Sequence, residues 1–457
     1  MSAPGGFPDG FLWGAATSAY QIEGSPLADG AGMGVWHRFA HTRGNTREGQ
    51  TGDVACDHYR RWEEDVAIMR ALGLSAYRFG LSWPRILPEG RGRVNAAGIG
   101  FYDRLTDALL AAGIEPMVTL YHWDLPAALD DRGGWLNPDS ASWFAEYAGH
   151  AFGALGDRVR WWATLNEPWV VMDAGYLFGV NAPGHRNLYE APVAMHRQLL
   201  AHAEAVRLYR SLGARGRIGI VVNLEPKDPA TASEADRAAA ARDDVYNNRF
   251  HLDPVFFGRY PETLREIFGD AWPRGADEEA ARIRESVDFV GVNYYTRRLV
   301  RHDPATVLGW SPAPPPAGSA TMATGWEIHP AGLARALAEL RARYGAVPVL
   351  ITENGAAFPE PAAVAGEVLD DPLRVQCYRD HLLALRGEIA RGADVRGYFA
   401  WSLLDNFEWS NGYSLRFGIV HVDFATQRRT LKESGRFYRE VIRTRGAALD
   451  RPWPARA

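Results

Sequence analysis

The chain has 457 residues, of which 47% are hydrophobic and 23% charged, with a net charge of −5. That balance is ordinary for a globular protein and excludes wholesale disorder, and the absence of a basic run or tail leaves no electrostatic footprint for nucleic acid. No stretch approaches 18 uninterrupted apolar residues, so no membrane span is expected. The first residues lack a positive region followed by an apolar one, so the chain reads as cytoplasmic. Cys56 and Cys377 are the only cysteines and read as structural thiols rather than a disulfide or metal framework. Nothing in the sequence sets the oligomeric state.

Along the chain, apolar runs of strand length alternate with amphipathic segments. The predicted strands are Phe11–Ala15, Ala76–Leu81, Pro116–Tyr121, Val159–Thr164, Ile218–Asn223, Phe289–Asn293, Val347–Thr352 and Val395–Trp401. The predicted helices between them are His58–Leu72, Ala97–Ala112, Ser140–Leu155, Ala191–Leu212, Pro330–Tyr344 and Pro372–Arg391. Gly73, Gly113 and Gly345 follow helix ends, where glycine accepts the left-handed backbone that stops a helix. Eight right-handed strand–helix repeats close as a (β/α)₈ TIM barrel. An open doubly wound sheet would want a glycine-rich phosphate turn after the first strand, and Gly14-Ala-Ala-Thr-Ser is not one. No linker interrupts the pattern, so the chain reads as a single α/β domain with a core from about residue 11 to about residue 438. The longest segments, 23–57, 177–190, 296–322 and 404–424, follow strands, where loops build the functional face of such barrels.

The polar residues gather at the same strand ends. In chain order these are Gln21 and Glu23, Arg78, His122-Trp123, Asn166-Glu167, Asn293-Tyr294-Tyr295, Glu353 and Trp401, with Glu408-Trp409 in the last loop. Glu167 and Glu353 each end an apolar strand, and two carboxyl groups delivered by different strands are what cleavage of a glycosidic bond requires. Of 16 tryptophans, Trp83, Trp123, Trp169, Trp401 and Trp409 stand beside polar strand ends. A flat apolar ring next to hydrogen-bonding groups suits a pyranose. His122 stands without a His-x-His or His-Glu-x-x-His partner, so no metal site and no cofactor is expected.

The segments Gly14-Ala-Ala-Thr-Ser-Ala-Tyr-Gln-Ile-Glu-Gly, Thr164-Leu-Asn-Glu-Pro-Trp, Leu350-Ile-Thr-Glu-Asn-Gly and Trp401-Ser-Leu-Leu-Asp-Asn-Phe-Glu-Trp resemble those of glycoside hydrolase family 1, the β-glucosidase family, in the same order and over nearly the whole chain. The resemblance implies a retaining, exo-acting hydrolysis of small β-glucosides, with Glu353 as nucleophile and Glu167 as acid/base. It implies that Arg78 and Tyr295 support the nucleophile, with Asn293 beside them. It assigns Gln21, His122, Asn166, Glu408 and Trp409 to sugar hydroxyls, Trp401 to a platform under the ring, and Trp326 to the aglycone side. Trp123 is a weaker substrate-side residue; Trp169, Leu177 and Phe417 are candidates for the mouth. Glu408 stands where phospho-glycosidases carry phosphate-binding residues, so a neutral glycoside is expected; β-galactosidase or β-fucosidase side activity and transglycosylation are compatible with it. A sugar-binding barrel without catalysis would usually lack one of the two carboxyls, and both are present.

Overall fold

The structure is a computed structural model that describes residues 6–453 except 363 and 365. Eight parallel strands close into a barrel. They are β1 (Leu12–Ala16), β2 (Ala76–Gly80), β3 (Glu115–Tyr121), β4 (Trp161–Asn166), β5 (Arg217–Asn223), β6 (Phe289–Asn293), β7 (Val349–Asn354) and β8 (Val395–Trp401). Each strand pairs with its sequence neighbours, and β8 pairs back onto β1. The eight predicted strands match these within two residues at either end; Val159–Thr164 and Val347–Thr352 each sit two residues later, at 161–166 and 349–354.

Both faces of the strands are buried, which is why they read as apolar runs rather than alternations. The inner face carries Ala76, Met117, Trp161, Ala163, Val221, Phe289, Leu350 and Phe399 as one packed cluster. A much larger cluster fills the space between sheet and helices. Side chains two apart share a face. Arg78 therefore follows Ala76, and Trp401 follows Phe399, up the barrel interior to its carboxyl end. The six predicted helices form at 58–72, 96–111, 140–155, 191–211, 330–344 and 372–390. Gly73 and Gly113 stop two of them at φ +73° and +75°.

Some elements carried no sequence signal. The run Glu234–Asp244 is polar and alanine-rich, without an apolar stripe; it forms a helix capped by Ser233, whose Oγ accepts from the Asp236 amide at 3.1 Å. It continues through a π turn at 245–249 into Phe250–Phe257. Two small sheets also form, as does a closing helix, Glu433–Arg443, which lies outside the predicted helices although Phe437, Tyr438 and Val441 give it an apolar face. One sheet joins 227–229, 298–302 and 310–313, the other 368–369, 428–432 and 420–423; both lie in loops after barrel strands. No described helix is long and apolar enough to cross a membrane. Cys56 and Cys377 are both free and buried.

Candidate active site

Two rows of the barrel register bring the polar residues together. Trp401, Ala16 and Arg78 lie level across β8, β1 and β2, while Asn223, Asn293 and Glu353 lie level across β5, β6 and β7. The β6–β7 register shifts between Ile351 and Glu353, so Glu353 rather than Thr352 opposes Asn293. Such an irregularity re-aims a side chain. Glu167 follows β4 in the left-handed backbone region at φ +47°, with its amide donating to Val221 O at 2.8 Å. A non-glycine residue in that region is strained, and the β5 hydrogen bond and the following Pro168 hold it there.

The Arg78 guanidinium is wholly buried and spends its donors on the site. Its Nη1 donates to Glu353 Oε1 at 2.6 Å, its Nη2 to Asn166 Oδ1 at 2.6 Å, and its Nε to Thr119 Oγ1 at 3.0 Å. The Tyr295 hydroxyl donates to the other Glu353 oxygen, Oε2, at 2.7 Å. Asn293 Nδ2 donates to Glu167 Oε1 at 2.9 Å and to Asn166 Oδ1 at 3.1 Å; its own carbonyl accepts from Thr352 Oγ1 at 2.7 Å. A single amide therefore holds the two strand tips together.

The two carboxyls differ in their surroundings. Burial pushes Glu167 up to about 8, reinforced by the charge of Glu353. Burial also raises Glu353, but Arg78, Tyr295 and Asn293 all oppose that rise. Only Glu353 has a guanidinium in contact, so a proton shared by the pair resides on Glu167. Glu408 is also pushed up to about 8, by burial first and then by the charge of Glu353. His122 is held well below its usual range by burial and by Arg78, so its ring is neutral.

These groups face a cavity of about 340 Å³. His122, Trp123, Glu167, Asn293, Tyr295, Trp326, Glu353, Trp401, Glu408, Trp409 and Phe417 line it, as does Trp169. His122 Nε2 meets Asn166 Nδ2 at 3.2 Å, and its buried Nδ1 has no hydrogen-bond partner among the described residues. Accepting at Nε2 leaves the proton on Nδ1 as a donor for a ligand. Trp123 donates its indole N–H to Asn166 O at 2.9 Å, which makes it a brace as well as a wall. Trp326, 43% exposed, stands at the entrance against Tyr295.

Arg78, Gln21 and Asn166 stand behind the lining residues. Gln21 Nε2 donates to Asn406 Oδ1 and Phe407 O at 3.0 Å each and reaches Glu408 Oε2 at 3.3 Å. Three expectations are corrected. Leu177 is buried in the outer core and is no part of the mouth, while Phe417 and Trp169 are. Trp83 stacks on Tyr147 and donates to Gly90 O, remote from the cavity. Glu23 pairs with Arg85 at 2.9 Å and accepts from the Tyr102 hydroxyl at 2.6 Å, a brace for the first loop. Sequence reasoning missed Asp173, Asn181, Glu225 and Arg298 at the rim: Asp173 lies in a π turn, Arg298 opens a short side strand, and Asn181 and Glu225 are in loops, none with a periodic signal. Asn223 could have been found as the polar tip of a predicted strand.

The comparisons with known proteins agree with this fold. The family model described as Glycosyl hydrolase family 1 matches residues 3–447. Beta-glucosidase A of Thermotoga maritima is 49% identical over 441 residues, 96% of this chain and 98% of that protein. Beta-glucosidase A of Acetivibrio thermocellus is 44% identical over 446 residues, covering 96% and 99%. The solved family 1 β-glucosidase of Thermotoga maritima superposes with a TM-score of 0.93 at 48% identity over 97% of this chain and 99% of that one. Its complex with deoxynojirimycin gives a TM-score of 0.94. With the barrel, the paired carboxyls and a full-length family match in agreement, the chain belongs to glycosyl hydrolase family 1.

Proposed function

We propose that the protein is a retaining, exo-acting β-glucosidase that removes the non-reducing-end glucosyl unit from short β-glucosides. The observation that carries this reading is the unequal pair: Glu353 is held by Arg78 and Tyr295, and Glu167 by an amide alone. Glu353 attacks the anomeric carbon, while Glu167 gives its proton to the departing oxygen. The ester that forms has no charge, so Glu167 loses the repulsion that raised it and becomes the base that takes a proton from water. An alcohol in place of water gives transglycosylation by the same step.

His122, Asn166, Glu408 and Trp409, backed by Gln21, serve the hydroxyls; Trp401 underlies the ring and Trp326 meets the aglycone. A cavity of about 340 Å³ lies at the small end of ligand pockets, which favours a single sugar with a short aglycone. Glu408 offers a sugar phosphate a carboxyl rather than a cation, which disfavours it. The names of the relatives, β-glucosidases and 1,4-beta-D-glucan glucohydrolases, support the glucoside reading. The test is turnover of nitrophenyl β-glucoside, β-galactoside and β-fucoside alongside cello-oligosaccharides, with release of β-glucose followed by NMR. α-Glucose as first product, or cuts within a long chain, would defeat the proposal.

The role of Glu408 is checked by Glu408→Gln. Replacing the carboxyl that meets the 4- and 6-hydroxyls by an amide should cost about 2 kcal/mol, roughly thirtyfold in kcat/KM on the glucoside. The 6-deoxy fucoside should lose less, and an equal loss on both sugars would place Glu408 elsewhere. The role of Arg78 is checked by Arg78→Met, which leaves Glu353 without its cation. Glu353 must be ionised to attack, so activity falls as pH drops through its pKa; removing the cation should move that acidic limb up by about 1–3 pH units. Arg78→Lys should restore most of the shift. A limb that stays put in Arg78→Met would mean that Glu353 is not the group titrating there.

A further inference from the structure

A second cluster of ligand-type side chains lies away from the cleft, at the edge of the long first loop. His37 and His41 stand one turn apart on the short helix Val35–His41, and Asp53 approaches from the segment that follows. Residues four apart on a helix are neighbours. We propose that His37, His41 and Asp53 form a binding site for a divalent transition-metal ion of the zinc, nickel or copper class.

The geometry is specific. His41 Nδ1 lies 2.8 Å from the His37 carbonyl oxygen. An Nδ1–H donated to that carbonyl leaves the Nε2 lone pair free, the arrangement that orients a metal-bound imidazole. Nε2 points at Asp53 Oδ2, 3.0 Å away. His37 Nδ1 lies 3.4 Å from Asp53 Oδ1. Both of those atoms are shut off from solvent, and neither has a hydrogen-bond partner among the described residues. Shut off from water, the two make only a long ion pair with each other, and an ion shared by both would satisfy them better. Ligand bonds of about 2.0–2.2 Å to zinc place tetrahedral neighbours roughly 3.3–3.6 Å apart, so the 3.4 Å between His37 and Asp53 already suits a shared ion, while the 3.0 Å contact of His41 with Asp53 is a direct hydrogen bond that the ion would open.

The donor atoms of all three residues lie within 4.8 Å of one another, and a swing of the exposed His41 ring closes the remaining gap. Two imidazoles and one carboxylate favour a borderline ion over magnesium or calcium. The exposed sides of His41 and Asp53 leave room for entry and for a water as fourth ligand. The other cluster of this kind among the described residues, Glu360, Asp405 and His421, already has Lys432 at 2.6 and 2.7 Å from its two carboxylates and Arg416 at 2.9 Å from Asp405, so its charge is met without an ion.

The place of the site gives the ion something to hold. Trp36, next to His37, packs on Trp409 with ring centroids 4.4 Å apart. Just before Asp53, Gln50 Oε1 accepts from the Tyr413 amide and Thr51 O from the Tyr413 hydroxyl, each at 2.7 Å. An ion bridging His37, His41 and Asp53 ties together two segments that brace the loop carrying Glu408 and Trp409.

The experiment uses the full chain after chelator treatment, titrated with zinc chloride by calorimetry and followed by thermal unfolding with and without zinc. The wild type should bind about one equivalent and unfold at higher temperature with the ion; cobalt(II) in its place should give tetrahedral visible bands. His41→Ala and Asp53→Asn alter partly exposed side chains, so both should fold, as circular dichroism would verify. Each should weaken binding by at least about tenfold and abolish the zinc-dependent rise in Tm. A wild type that takes up no zinc, or variants that bind and stabilise as the wild type does, would overturn the site.

Discussion

Glu353→Ala is expected to lower kcat on nitrophenyl β-glucoside by at least about 10⁴-fold, because an attack held in place by the protein becomes one by free water. KM should move far less, since the cavity walls remain. Arg78 would keep Asn166 and Thr119 but lose its carboxylate, leaving a buried guanidinium that is only partly satisfied. Circular dichroism and the unfolding temperature should accompany the kinetics for that reason. The decisive readout is rescue by azide. A small anion occupying the space of the lost carboxylate attacks the same face of the sugar, and with no second displacement the product is the α-glucosyl azide. Turnover comparable to wild type, or a β-azide from this variant, would remove Glu353 from the nucleophile's place.

The barrel was legible in the sequence because its strands are buried on both faces. Runs such as Val349–Ile351 cannot be exposed, and six of the eight strands are followed by a long amphipathic segment. The side sheets and the helix Glu234–Asp244 were not legible, because their burial is partial and their side chains alternate in no regular way. The candidate site shows the same division. Residues at strand tips (Arg78, Asn166, Glu167, Asn293, Glu353) were placed by strand ends alone.

The hydrogen-bond pattern among those residues was not legible. Asn293 reads in the sequence as support for Glu353 and does help to lower that group, but its amide also donates to Glu167 and Asn166, which the sequence did not indicate. The register shift beside Glu353 sets Asn293 opposite that residue, and a register shift leaves no mark in composition. Trp83 and Leu177 failed for a related reason. An apolar residue beside a polar one looks the same whether it faces a cavity or the helical layer.

Glu167→Ala should separate substrates by their leaving groups. A glucoside with a poor leaving group, such as cellobiose or an alkyl glucoside, needs the proton and should lose about 10²–10⁴-fold in kcat/KM. A dinitrophenyl glucoside leaves unaided, so its first step should stay near the wild-type rate while the glucosyl-enzyme accumulates for want of a base. A burst of phenol followed by slow turnover is the expected trace. The pH profile supplies an independent check. The acid must be protonated to act, so wild-type activity on poor leaving groups is present below the Glu167 pKa and is lost as pH rises through about 8. In Glu167→Ala that basic limb should be missing. Azide should accelerate the second step, and because Glu353 has already inverted the sugar once, the product should be the β-glucosyl azide. The opposite anomers from the two alanine variants can arise only if the carboxyls act from opposite faces of one sugar. Equal loss across all leaving groups, or the same anomer from both variants, would separate the pair and leave Glu167 as a structural acid.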